Sequence, residues 1–336
     1  MKDNVQKTIL ALAPMAGITD LPFRLICKEH GADIVYSEMI STAGLFYTKF
    51  QTLQLLESDF TEKPLVVQLF GNNPDQFARA AELISSFSEE LNIIQDKKSK
   101  ATINIIRPDG IDINFGCPVK KVIKQGSGCA LMKNLALSRK IIERTLQNTD
   151  LPVSIKIRAG IENFQAMDFL ENIADLGWKM VMVHARTYQQ GFSGAIDTTL
   201  ITKIKQHFPA KSVLANGGIM RPEDAKEILS KTKADGIGLA RGVLGAPWLF
   251  SQIKNYLESG NYQAPSLQEI INTALQHIDY AKKIKGEQAL FEMRKHLGWY
   301  VKGLANAKAI RQQIYAAPDF VSLRKLLHEI KNTVIA

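Results

Sequence analysis

Short apolar runs rich in valine and isoleucine recur along the first 250 residues, and most are followed by a longer stretch with helical spacing. The runs are Ile9–Ala13, Ala32–Ser37, Leu65–Phe70, Ile111–Phe115, Val153–Ile157, Met180–His184, Val213–Ala215 and Gly236–Ala240. Near-continuous apolar character over so few residues predicts parallel strands covered on both faces. Between them, apolar positions three and four apart predict helices over Leu21–His30, Gln76–Phe87, Leu135–Gln147, Gln165–Leu176 and Pro222–Leu229. Eight strand–helix units in this length predict an α/β fold, a (β/α)8 TIM barrel. An open doubly wound sheet is the competing arrangement. It would want a glycine-rich fingerprint after the first strand, and none is there. The run Gly236-Ile-Gly-Leu-Ala-Arg-Gly has Arg241 where the third glycine belongs.

Two regions depart from the repeat. Residues 92–109 are polar and lysine-bearing, between the third helix and the fourth strand. A helix-to-strand connection lies on the N-terminal face of a barrel, away from chemistry, so a surface excursion is expected. After Trp248 only helical patterns remain: Leu267–Ile284, Glu287–Lys302 and Phe320–Lys331, preceded by the proline-containing stretch Tyr262–Ser266. The expected organisation is a barrel over 1–250, a linker region over 251–261 and a C-terminal all-helical domain over 262–336.

Composition narrows the class. Of 336 residues, 46% are hydrophobic and 22% charged, which excludes a disordered or collagen-like chain. No apolar stretch reaches the roughly 18 residues needed to span a bilayer. Lys2 and Lys7 before Ile9–Ala13 imitate a signal peptide, but Pro14 and Gly17 break that run, and a buried strand in a cytoplasmic protein is expected. Three cysteines (Cys27, Cys117, Cys129) without CxxC spacing, and six scattered histidines without HExxH, point to neither disulfides nor a metal. A monomer without membrane attachment is expected. Residues 251–336 hold 12 Lys and Arg against 7 Asp and Glu, more than half of the net +9. Such a tail suits either a solvated helical surface or a polyanionic partner.

In a barrel, functional groups gather where strands end. Those positions read Ala13-Pro-Met-Ala-Gly, Gln68, Asn114-Phe-Gly-Cys-Pro, Lys156-Ile-Arg158, His184-Ala-Arg-Thr, Asn216-Gly-Gly and Ala240-Arg-Gly. Gly217–Gly218 and Arg241–Gly242, each opening a helix, suit either tight turns alone or the backbone phosphate site common after strands seven and eight, and their occurrence together favours the phosphate site.

The ordered set Ala13-Pro-Met-Ala-Gly-Ile-Thr-Asp, Ser37-Glu-Met-Ile-Ser, Val67-Gln-Leu-Phe-Gly, Asp112-Ile-Asn-Phe-Gly-Cys-Pro-Val-Lys-Lys-Val and Gly126-Ser-Gly-Cys-Ala-Leu-Met resembles the tRNA-dihydrouridine synthases, most closely the bacterial B-type subgroup. Lys156-Ile-Arg, His184-Ala-Arg-Thr, Asn216-Gly-Gly-Ile and Arg294-Lys-His-Leu-Gly-Trp-Tyr extend the resemblance over both expected domains. It implies an oxidoreductase that binds FMN, takes reducing equivalents from NADPH and acts on tRNA uridines. By the resemblance, Cys117 is the catalytic acid. The cofactor falls to Pro14, Met15, Ala16, Gln68, Lys156, His184, Asn216, Gly217, Gly218, Ala240 and Arg241. The substrate falls to Asn114, Arg158, Arg186, Lys120 and Lys121, with Arg294, Lys295 and Lys302 on the tail. Gly218 replaces an aspartate common in relatives and would offer only backbone. Two other functions compete: an FMN barrel acting on a free pyrimidine, as dihydroorotate dehydrogenases do, and an RNA-binding protein without redox chemistry. The basic tail opposes the first; Cys117 with Lys156 opposes the second.

Overall fold

The computed structural model describes residues 8–47, 50–96 and 100–332. Lys2, Lys7, the middle of the 92–109 segment at 97–99 and the last four positions of the expected helical domain lie outside the described residues. All eight predicted runs are strands: β1 (Ile9–Leu12), β2 (Ile34–Ser41), β3 (Leu65–Phe70), β4 (Gly110–Phe115), β5 (Val153–Arg158), β6 (Met180–His184), β7 (Ser212–Asn216) and β8 (Gly236–Leu239). Neighbours pair in parallel and in chain order, and β1 pairs with β8 to close a barrel.

Strand residues alternate between two environments, as a pleat requires. Ile111, Ile113, Ile155, Ile157, Val181, Val183 and Val213 point outward into the layer beneath the helices. Ala11, Ala13, Tyr36, Val66, Met182 and Leu214 fill the barrel interior. The outer layer is made by α1 (Leu21–Glu29), α2 (Pro74–Ser85), α3 (Leu135–Leu146), α4 (Ala166–Asn172), α5 (Thr198–His207), α6 (Pro222–Thr232) and α7 (Leu249–Ser259). After β2, two short helices, Thr42–Phe46 and Phe50–Leu53, take this place.

Two expectations are corrected. The 92–109 segment is more than a polar excursion: Asn92–Gln95 and Thr102–Ile105 pair antiparallel, and Ile103 and Ile105 are buried in the barrel's outer core. Its Thr-Ile-Asn-Ile alternation is a strand pattern, hidden by the surrounding lysines. The 251–261 linker region is mostly α7, whose Leu249, Phe250 and Ile253 enter the core, so the connection shortens to 260–266. Helices α5 and Ala307–Ala316 were not foreseen in the sequence.

The remaining helices, α8 (Leu267–Lys285), α9 (Leu290–Tyr300), α10 (Ala307–Ala316) and α11 (Phe320–Asn332), share a separate core including Ile271, Ile278, Leu297, Val301, Phe320 and Leu323. Ser266 and Glu269 cap α8 reciprocally, which satisfies its first amides. This bundle docks on α1. Phe23 stacks on His277 with ring centroids 5.7 Å apart and tilts against His296 at 5.3 Å. Burial pushes His277 down to about 4 and His296 well below its usual range, so both are neutral spacers in an apolar seam. Lys285 reaches Asp20 at 3.0 Å across the same seam. Among the described residues, no helix is long and apolar enough to cross a membrane, and no cluster of three metal-binding side chains occurs.

Candidate active site

Toward the C-terminal ends of the strands the inward positions turn polar. Register places Gln68 beside Asp112 and Asp112 beside Ser154, with Asn114 beside Lys156 one pleat above. Asp112 is fully buried; its Oδ1 accepts from Ser154 Oγ at 2.6 Å and its Oδ2 from Gln68 Nε2 at 2.7 Å. Gln68 Oε1 in turn accepts from Asn114 Nδ2 at 2.8 Å. Asn114 Oδ1 accepts from the backbone N–H of Gly116 at 3.1 Å and of Cys117 at 2.8 Å. Burial raises Asp112 to about 6, although Ser154, Gln68 and the nearby Lys156 each favour its charged form. Asp112 had no role in the sequence reading. The available signal was a lone carboxylate inside an apolar strand, at an inward register position.

Cys117 sits at this mouth, 6% exposed, its N–H held by Asn114 and its carbonyl accepting from the Cys129 N–H at 3.2 Å. Burial pushes its thiol up, against smaller opposing effects from the Val119 N–H, Arg158 and Lys156. The thiol is therefore protonated at neutral pH. Cys27 and Cys129 are wholly buried in the outer core. Lys120 and Lys121 begin a short helix (Lys120–Lys124) directly after the Cys117 loop, and both are exposed.

A cationic group lies beside this mouth. Lys156 Nζ donates to Asn216 Oδ1 at 3.2 Å, and Asn216 Nδ2 donates to Gly238 O at 2.7 Å. Burial, then Arg158, drives Lys156 down to about 8 against the pull of Asp112. Arg158 donates to the carbonyls of Gly116 at 3.0 Å, Thr187 at 3.0 Å and Gly191 at 2.8 Å. Arg186 holds the same β6–α5 loop through Gly194 O at 2.7 Å. Arg241 is exposed, with its guanidinium 4.5 Å from the Phe192 ring centre. Among the described residues none of these four cations forms an ion pair. At their centre, burial and the charges of Lys156, Arg158, Arg186 and Arg241 hold His184 neutral, down to about 2.

His184 Nδ1 and Arg186 Nη1 are buried, without hydrogen-bond partners among the described residues. Beside them Gly217 (φ +105°) and Gly218 (φ +74°) turn left-handed, and a Cβ at Gly217 would lie 3.1 Å from Arg186 Nη1 and His184 Nε2. Uncompensated cations, an orphaned guanidinium donor and a turn open to close approach suit a phosphate group. The residues therefore fit a phosphate-bearing cofactor, with Ala240 half-buried on the same rim. Pro14 and Met15 are half-buried and Ala16 is exposed. Their loop is closed by Thr19, whose hydroxyl accepts from Met15 N–H at 3.1 Å.

The tail residues divide. Lys295 Nζ donates to Gly17 O at 2.5 Å, so the bundle grips the first barrel loop. Arg294 donates to Ala317 O at 2.5 Å and lies over Phe291, within the bundle. Lys302 is exposed.

Comparison with known proteins agrees with this geometry. The dihydrouridine synthase (Dus) family profile matches residues 11–94 and 95–334. A probable tRNA-dihydrouridine synthase of Rickettsia bellii is 35% identical over 97% of this chain and 95% of its own length. The tRNA-dihydrouridine synthase B of Pasteurella multocida is 34% identical over 93% of this chain and 90% of its own, and that of Pseudomonas aeruginosa 32% identical over 96% and 94%. With a closed barrel, a protonated thiol at its mouth and likeness along almost the whole chain, the protein belongs to the dihydrouridine synthase family.

Proposed function

We propose that this protein reduces uridines of tRNA to dihydrouridine in the cytoplasm, with FMN as its bound flavin and NADPH as reductant. The observation that carries the reading is the juxtaposition at one barrel mouth of a protonated Cys117 and a cation cluster with an unpartnered buried Arg186 donor. Relatives named as tRNA-dihydrouridine synthases support tRNA as the substrate. A barrel for a free pyrimidine would leave the basic tail and the exposed Lys120 and Lys121 without a task.

The uracil C5=C6 bond is conjugated with a carbonyl, so a hydride at C6 leaves an enolate that needs a proton at C5. The flavin, when bound, supplies that hydride. The chain supplies the proton: Cys117 Sγ holds it because burial disfavours the thiolate. Lys156 would face the flavin's pyrimidine edge, where its charge opposes negative charge that builds there. Gln68, its amide already engaged by Asp112 and Asn114, would border the same edge. Asn216, Gly217, Gly218, Ala240 and Arg241 would hold the phosphate, the orphaned Arg186 donor would join them, and His184 would contact the cofactor beside them. Arg158, spent on three carbonyls, shapes the β6–α5 loop. Pro14, Met15 and Ala16 would line the ring.

Asn114 retains one amide hydrogen for the uracil. Exposed Lys120, Lys121 and Lys302 would track phosphates of the tRNA, while Lys295 and Arg294 are engaged elsewhere. The barrel through Ser259 and the bundle from Ser266, each with its own core, form two domains. The test is flavin release from the purified protein: FMN is expected. A preparation that is colourless and takes up no added FMN refutes the cofactor assignment.

A further inference from the structure

The chain Ser154–Asp112–Gln68–Asn114–Cys117 has a direction, and one residue sets it. An ionised carboxylate only accepts hydrogen bonds. Gln68 must therefore present Nε2 to Asp112, 2.7 Å away, which turns Oε1 toward Asn114. Asn114 must then present Nδ2 to Gln68 at 2.8 Å, which turns Oδ1 toward the N–H groups of Gly116 and Cys117. Ser154, donating at 2.6 Å, fixes the carboxylate itself. Every side chain in the chain is at least nine-tenths buried: Gln68 and Asp112 wholly, Asn114 4% and Ser154 5% exposed. No solvent is at hand to substitute for a missing partner, and an amide turned over would place two acceptors or two donors face to face.

We propose that Asp112 is a positioning residue, which fixes the orientation of both amides and through them the loop that carries Cys117. It lies one pleat below the mouth and works through Gln68 and Asn114 rather than on the substrate. The inference rests on the proposed roles of Cys117 and Gln68. It extends that reading by naming what keeps the acid and the cofactor edge in one fixed relation. A shift of the loop by about an ångström can cost on the order of 10²-fold in rate.

The test uses cofactor-free full-length protein, so that it does not depend on flavin or tRNA. The rate of Cys117 alkylation by iodoacetamide is read by peptide mass, with buried Cys27 and Cys129 as internal controls. Asp112→Ala should change that rate several-fold, and Asp112→Asn, which keeps an acceptor for Gln68, should restore most of the wild-type rate. Gln68→Leu breaks the same chain one link on, so it should show the same change. The double variant Asp112→Ala/Gln68→Leu should be no worse than either single one. In flavin-loaded protein, kcat for tRNA should fall with KM little changed. A wild-type alkylation rate in folded Asp112→Ala overturns the proposal, as do additive effects in the double variant. If Asp112→Ala does not fold, a wild-type rate in Gln68→Leu overturns it alone. Failure of the wild-type protein to bind FMN would instead refute the functional reading and leave the alkylation result to stand by itself.

Discussion

Lys156→Met should make the cofactor-free protein more stable. The ammonium is half-buried in the barrel mouth, with one hydrogen bond, to Asn216, and among the described residues no carboxylate in contact. Burial and Arg158 lower it from 10.5 to about 8. At about 1.4 kcal/mol for each pKa unit, holding it charged in the fold costs up to roughly 3 kcal/mol at pH 7. The sign is fixed by the direction. The folded protein disfavours the charged form, so the cost is fully present below pH 8 and fades as pH rises toward 10.5. Methionine has similar length and no charge, and it fills irregular space well. The variant should therefore melt above the wild type at pH 7, by at most roughly 6–12 °C, at 2–4 °C for each kcal/mol in a domain of this size. The difference should shrink at pH 10. Calorimetry of both proteins, stripped of cofactor, reads it. The same variant should gain far less stability than wild type from added FMN, because the binding charge is gone. If Lys156→Met melts at or below the wild type at pH 7, the Lys156 ammonium does not cost the fold stability.

Cys117→Ala should bind FMN normally while uridine reduction falls roughly 10²–10⁴-fold, as for a lost general acid, and Cys27→Ala and Cys129→Ala should keep wild-type turnover. Lys120→Gln with Lys121→Gln should flatten the dependence of tRNA affinity on salt by between one and two phosphate equivalents, about 0.7–0.9 in slope for each. Lys295→Met should leave that slope unchanged, because its ammonium is bound to Gly17 O; binding titrations across salt separate the two. His296 is held neutral in the fold, so its contribution is present above the usual histidine range and lost as pH falls through about 6.5. In His296→Gln, chemical denaturation should show a pH dependence smaller than wild type by roughly 1 kcal/mol per unit below that pH.

The barrel was legible because each strand is a closed apolar run, and its polar interruptions fall at inward positions near the strand's end. Lys156 and Arg158 alternate with Ile155 and Ile157, and the same two-residue period sets Asn114 apart from Ile113 and Phe115. What escaped was decided by tertiary contact. Asp112 looks like any polar residue in a strand until register puts it against Gln68 and Ser154. Lys295 has the spacing of a surface cation, and only the docking of α9 on the first loop shows its ammonium spent on a carbonyl. The 92–109 segment was read by its lysines, although Ile103 and Ile105 were the residues that fold it.

The central claim is that one barrel mouth combines a flavin site with a cysteine acid to reduce tRNA uridines. Its most direct test is mass spectrometry of an unmodified tRNA transcript after incubation with FMN-loaded protein and NADPH. The account predicts a gain of two hydrogens at a defined uridine, with the gain lost in Cys117→Ala that still carries FMN. FMN-loaded wild-type protein that oxidises NADPH and leaves every uridine of tRNA unreduced would contradict it.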